Sequence, residues 1–478
     1  MNQPNQPTEG FATRRGFLHS GLLGLGGMAL GSDLGRAMGL PGNDPTGRPR
    51  LIPRVKSVIY LHMEGAPSPL DMFDPKPELD RFDGKKCPEE FLQNERFAFI
   101  KGHPRLLGHK WGFQRYGRAG VDVVELLPHL GEVMDDIMVV KSMHTDQFNH
   151  APAEFLLFSG SPRIGRPSMG SWVTYGLGSE NQNLPGFVVL VSGGSLPSAG
   201  RSVWGSGFLP SSLQGVELRS KGDPVLYLED PAGIDRAARR RMLDAAGDLN
   251  RAQLEATGDP ETAARIAQHE LAFRMQMSVP EATDIASEPE EVHRLYGTEP
   301  GKVSLANNCL LARRLVERGV RFVQIYDSGW DLHGTAPHDD LMTQFPKKCG
   351  QLDRPLAGLI TDLRRRGLLD ETLVVWGGEF GRTPMNEERN GSKLFGRDHH
   401  PHCFTILMAG GSVKAGSIVG ATDDLGYFIT DTPIHVHDLQ ATILHLLGLE
   451  HEKLTYKFQG RDFRLTDVFG KVRGELLA

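Results

Sequence analysis

Histidines and carboxylates in this chain gather at the ends of short apolar runs. Glu64, Ser68 and Asp71 follow the run 53–63, and His144, Asp146, Asn149 and His150 follow the run 137–141. Asp327, Asp331 and His333 follow 322–326, and Glu379 and Arg382 follow 372–376. Arg397, Asp398, His399, His400 and His402 stand just before the run 404–409. A single such residue in a loop is ordinary, but several run ends supplying imidazole or carboxylate can converge on a metal. Mixed nitrogen and oxygen donors suit Zn²⁺ or Mn²⁺, with Fe as a third choice, better than the purely oxygen-seeking Ca²⁺.

The elements that must position these groups follow from the apolar pattern. Runs 53–63, 137–141, 186–191, 322–326, 372–376 and 404–409 are short, continuous and rich in β-branched residues, as strands buried on both faces are. Amphipathic stretches alternate with them, at 151–158, 303–318, 356–366 (with Pro355 in the first turn) and 436–447 before Gly448. Alternation of this kind predicts an α/β fold, a mostly parallel sheet covered by helices on both faces. In such sheets ligands bind where loops leave the carboxyl ends of the strands. The Gly/Ser/Pro-rich segment 192–215 predicts a long surface loop. Residues of about 230–300 turn Ala-, Arg- and Glu-rich with helical spacing and predict a helical insertion within one α/β domain spanning 50–478.

The 478 residues carry 53 Lys+Arg against 59 Asp+Glu, a net charge of −6, which argues against nucleic acid as the main partner. Arg239–Arg241 and Arg364–Arg366 read as solvated helix faces. Cys87, Cys309, Cys349 and Cys403 form no CxxC pair, so no cysteine zinc site is expected and at most one disulfide. No apolar run is long enough to span a membrane. At the N-terminus, Thr13-Arg14-Arg15-Gly16-Phe17-Leu18 and the apolar stretch from Gly21 to Leu30 read as a twin-arginine export signal within residues 1–40. That predicts passage through the twin-arginine translocase and a periplasmic or extracytoplasmic location.

The segments Leu70-Asp71-Met72-Phe73-Asp74-Pro75-Lys76-Pro77, Trp330-Asp331-Leu332-His333, Gly378 to Pro384, Gly396 to Pro401 and Gly420-Ala421-Thr422-Asp423 occur in the order of a known pattern. From about residue 55 onward the chain resembles the twin-arginine-exported, sulfatase-like family described as domain of unknown function 1501. Through it the chain resembles the alkaline-phosphatase and sulfatase superfamily. The resemblance implies that superfamily's fold and a two-metal site. Glu379-Phe380-Gly381 stands where the superfamily has Asp-His-Gly, keeping the carboxylate and losing the histidine. Asp398-His399 fits its later Asp-His pair, and Asp331 with His333 fits an Asp and a His on an intervening strand end. The nucleophile departs from the pattern: counting back nine residues from Ser159-Gly160 reaches His150, with Pro152 at the proline position, and no hydroxyl or thiol stands there.

The resemblance thus implies hydrolysis of a phosphate or sulfate ester, on a small molecule or a glycan. One metal would lie at Asp331, His333 and His399, and a second at Glu379 with Glu64 or Asp71 and His150. Arg382 or Arg397 would clamp the tetrahedral anion, and His150 would be a general base or a phospho-acceptor. Ser68 reads as a turn residue bonding its own backbone rather than a displaced nucleophile, and Gly193-Gly194 is a weak anion-cradle signal. The loss of the nucleophile favours, as the alternative, an exported binding or scaffold protein on a hydrolase fold. A structural envelope protein without a site is a third reading, which the clustered polar strand ends oppose.

Overall fold

A computed structural model describes residues 53–92, 97–219, 222–225 and 233–478; the expected export signal lies outside them. The centre is a nine-stranded sheet. Its strands are β1 (Ser57–Met63), β2 (Ile137–His144), β3 (Phe187–Ser192), β4 (Val216–Leu218), β5 (Phe322–Asp327), β6 (Thr372–Gly377), β7 (Phe404–Ala409), β8 (Ser417–Val419) and β9 (Ile434–His435). Their order is β8-β2-β7-β6-β1-β5-β3-β4, with β9 also paired to β2. β1 runs parallel to β5 and β6, and Met63 lies level with Asp327 and His62 with Gly377. The loops after these three strands therefore leave the sheet at one rim.

All seven residues of β1 are buried, as continuous apolar runs require when both faces are covered. Ile59, Leu61 and Met63 enter one apolar layer, closed by α5 (Leu305–Glu317) and α6 (Leu341–Arg365). Val58 and Tyr60 enter the other, closed by α1 (His150–Ser159), α2 (Met169–Leu177) and α7 (Val436–Leu446). α3 (Arg236–Thr257) packs on α4 (Pro260–Thr283) within the stretch expected to be helical.

Three local expectations are corrected. Pro355 does not open a helix: α6 begins at Leu341 and carries both Pro346 and Pro355 in its interior. Each proline removes one amide donor, and the buried apolar face from Leu341 through Phe345, Leu352, Leu356 and Leu359 to Leu363 holds the helix together across both. The loop after β3 is not merely superficial, because Val203, Trp204 and Leu209 anchor it in the second apolar layer. β7 runs antiparallel to both β2 and β6. Its leading residues therefore reach the rim where the parallel strands end, which carries the segment before β7 to the site. All four cysteines are buried and free of disulfides.

Candidate metal centre

Four side chains meet above the rim: His150, Asp331, His333 and His399, each offering a ligand atom within 4.8 Å of the others. His150 is the first residue of α1. Asp331 and His333 lie in the loop after β5, and His399 pairs with Arg382 in a short antiparallel ladder ahead of β7. Gly65, at φ +101°, lets the loop after β1 close on this one, since a Cβ there would fall 2.4 Å from the Asp331 amide.

The Nε2 atoms of His333, His150 and His399 lie 2.8, 3.3 and 3.3 Å from Asp331 Oδ1. His333 Nε2 and His399 Nε2 are 3.2 Å apart. Four donors bound tetrahedrally at about 2.1 Å would stand roughly 3.4 Å from one another, so the spacing fits a small divalent cation. The outer nitrogens agree with it. His150 Nδ1 donates to Glu379 Oε1 at 2.5 Å, His399 Nδ1 donates to the Phe148 carbonyl at 2.7 Å, and His333 Nδ1 donates to Glu387. With Nδ1 spent in this way, Nε2 is the nitrogen left to ligate a cation once it has given up its own proton, the arrangement that supports metal-bound histidines.

Electrostatics within the cluster are strong. Burial alone would raise the Asp331 carboxyl, but the Arg382 charge and the three imidazoles hold it far below its ordinary value. Burial would lower His150 and His333, yet bonds to carboxylates on both sides raise each, His150 to about 10. His399 is pushed down to about 4 by burial and by the neighbouring Arg382 and His150 charges, against the pull of Asp331. Phe99 packs edge-on against His333 and His399, and the Arg389 guanidinium lies 3.8 Å over the Phe99 ring.

Other candidates from the sequence stand elsewhere. Asp71 and Arg397 form a two-pronged ion pair at 2.7 and 3.0 Å, with side chains 0% and 1% exposed. Asp71 is therefore not placed to share a cation with Glu379, nor is Arg397 free to clamp an anion. Arg382 is similarly engaged: it donates to the carbonyls of Gly65, Ala66 and Arg397 and to Asp331. Asp398 accepts the amides of Phe99, Ile100 and His399 at 2.8–2.9 Å, and forms a second compact group with His333 and Glu387. Glu379 is fully buried behind His150 rather than among the four. Glu64 accepts from Ser198 Oγ at 2.8 Å, and burial and the Glu379 charge push its carboxyl up to about 7. Asp327 is held by Lys348, Ser192 and Trp330, and His144 and Asp146 face His435. Gly193 packs on Ser328, where a Cβ would fall 2.4 Å from its amide nitrogen, so close approach accounts for it.

Sequence reasoning missed Glu387, His62 and Glu154. Glu387 lies in a polar loop between two motif segments and looks like any solvated acid. His62 carried a usable signal, an imidazole inside an otherwise apolar strand.

Residues 55–477 match the model of a protein family described as "Protein of unknown function (DUF1501)", and the chain belongs to that family. No curated protein matches the chain. Among solved structures it is similar to a sulfatase from Pseudoalteromonas sp., at 11% identity and TM-score 0.40, covering 89% of this chain and 72% of that one. It is also similar to the lipoteichoic acid synthase LtaP from Listeria monocytogenes, at 9% identity and TM-score 0.37, covering 87% and 77%. A phosphonate monoester hydrolase from Silicibacter pomeroyi shows 12% identity and TM-score 0.32, covering 82% and 73%.

Proposed function

We propose that this chain is an exported, metal-dependent hydrolase of phosphate or sulfate esters that works without a serine or cysteine nucleophile. One observation carries the reading: three imidazole Nε2 atoms surround one carboxylate oxygen at near-tetrahedral spacing, and every outer nitrogen is spent on an acceptor. His150, Asp331, His333 and His399 would hold the ion, with Zn²⁺ or Mn²⁺ the best match to the donor set. When bound, the ion supplies Lewis-acid polarisation of the ester oxygen and of the attacking water.

The chain's own residues do the rest. Glu379 and Glu387 fix two of the rings, and Arg382 pins Asp331 to the loop after β1 through its bonds to Gly65 and Ala66. Glu64 opens this loop, its carbonyl accepting the Trp330 amide of the loop after β5 at 3.2 Å. With a carboxyl near 7, it suits taking a proton at the oxygen that Ser198 leaves free. The substrate would be a small-molecule or glycan ester, reached after export through the twin-arginine translocase. Among the described residues no helix is long and apolar enough to cross a membrane.

The engagement of Arg382 and Arg397 within the protein favours a second reading, a metal-holding protein that binds an ester or glycan without turning it over. The test is metal analysis of the purified protein and of Asp331→Ala and His399→Ala, followed by assays on p-nitrophenyl phosphate and sulfate. Near-stoichiometric metal lost in both variants, with turnover that follows metal content, supports the hydrolase. Metal without turnover supports the second reading, and no uptake on titration refutes both.

A further inference from the structure

Behind His150 and Glu379 stand two polar groups with no place in the scheme above, His62 and Glu154. Glu379 Oε1 accepts hydrogen bonds from His150 Nδ1 and, at 3.2 Å, from the Gly65 amide. Its other oxygen, Oε2, is buried and has no hydrogen bond of standard geometry, and its polar neighbour is His62 Nε2 at 3.3 Å. The same nitrogen is 3.8 Å from Glu154 Oε1, whose other oxygen accepts the Ala199 amide at 2.7 Å. His62, Glu154 and Glu379 are all 0% exposed.

Position 62 belongs to the strand face that carries Val58 and Tyr60, where an apolar residue would pack at no polar cost. The His62 ring instead lies edge-on between Phe158 and Tyr326, with neither nitrogen hydrogen-bonded in standard geometry. Burying an imidazole and two carboxylates in such a core is costly unless they serve one another. Glu154 lies one helical turn after His150 on α1, so the group ties that helix to β1 and to the loop after β6.

We infer that His62 is a positioning residue: braced by Glu154, it holds Glu379 so that His150 keeps its proton on Nδ1 and presents Nε2 to the metal cluster. The inference rests on the proposed metal centre for its consequence but not for its geometry. The test combines His62→Ala, His62→Gln and Glu154→Gln with two measurements, Zn²⁺ affinity by chelator competition and the His150 tautomer in metal-free protein by ¹⁵N-histidine NMR, taken above the pH at which the ring gives up its second proton. Removing a group that supports a ligand weakens metal binding about 10- to 100-fold. Because His62 acts through Glu379, the expectation is a loss of about 10-fold, the low end of that range, in His62→Ala with a mixed His150 tautomer, and partial recovery in His62→Gln, whose amide can donate to Glu379. Wild-type affinity and an unchanged tautomer in both His62 variants would overturn it. If His62→Ala does not fold, His62→Gln and Glu154→Gln decide by the same two readouts. A wild-type protein that takes up no Zn²⁺ refutes the hydrolase reading, while the tautomer measurement still decides the role of His62.

Discussion

Replacing Arg397 by Met separates a structural arginine from an anion clamp. Arg397 binds Asp71 through two nitrogens, donates a further bond to the Thr383 carbonyl at 3.3 Å, and is 1% exposed against 0% for its partner. Removing one member of a buried pair strands the other charge, at a cost of about 3–5 kcal/mol. Replacing both with apolar residues of similar volume, Asp71→Leu with Arg397→Met, should restore most of the loss, because no charge remains to desolvate. Burial alone would raise the Asp71 carboxyl, but the charge and hydrogen bonds of Arg397 hold it below its ordinary value. Its contribution is thus present above the unfolded pKa of about 4 and is lost as pH falls through the folded value. The assay is denaturant unfolding of the metal-free protein at neutral and acid pH. Arg397→Met should be destabilised by that amount at pH 7 and should lack the acid-sensitive limb. A variant within about 0.5 kcal/mol of wild type that has lost affinity for inorganic phosphate or sulfate would refute the argument and reinstate Arg397 as the clamp.

Further outcomes follow from the same contacts. Glu387→Gln, which leaves His333 in place but replaces its anchoring carboxylate, should weaken Zn²⁺ binding about 10- to 100-fold in a chelator competition. Gly65→Ala, with a Cβ forced to 2.4 Å from the Asp331 amide at φ +101°, should lower both thermal stability and metal content, measured by calorimetry and elemental analysis. Glu64 binds its proton more tightly folded than unfolded, so it should make stability fall as pH rises from about 4.5 toward about 7. Glu64→Gln should flatten that stretch of the stability profile. The same variant should remove the rising acid limb of any ester hydrolysis.

Much of the sheet was legible because a strand buried on both faces leaves an unbroken apolar run, as Ser57–Met63 and Thr372–Gly377 do. α6 was not, because Pro346 and Pro355 are local stop signals overruled by an apolar stripe that only its neighbours reveal. The reversed direction of β7 was also hidden, since an apolar run has no polarity. At the site, His150, Asp331, His333 and His399 each stand at the end of an apolar run, so their candidacy could be read. That Arg397 would spend itself on Asp71, more than three hundred residues away in sequence, could not. Local composition records what a side chain can do and is silent on which distant partner has already claimed it.

The reversed strand β7 bears on the order of events during folding. His399 reaches His333 and Asp331 only when β7 has inserted between β2 and β6, and β2 is itself drawn from the first third of the chain. These pairings close long loops, and contacts of that separation form late. The complete donor set therefore comes into being near the end of folding, and a nascent or truncated chain lacking β7 has at best three of its four members in place. On the proposed metal-dependent reading, tight metal uptake would then report that the topology is finished, and the ion would check the fold as well as serve the reaction.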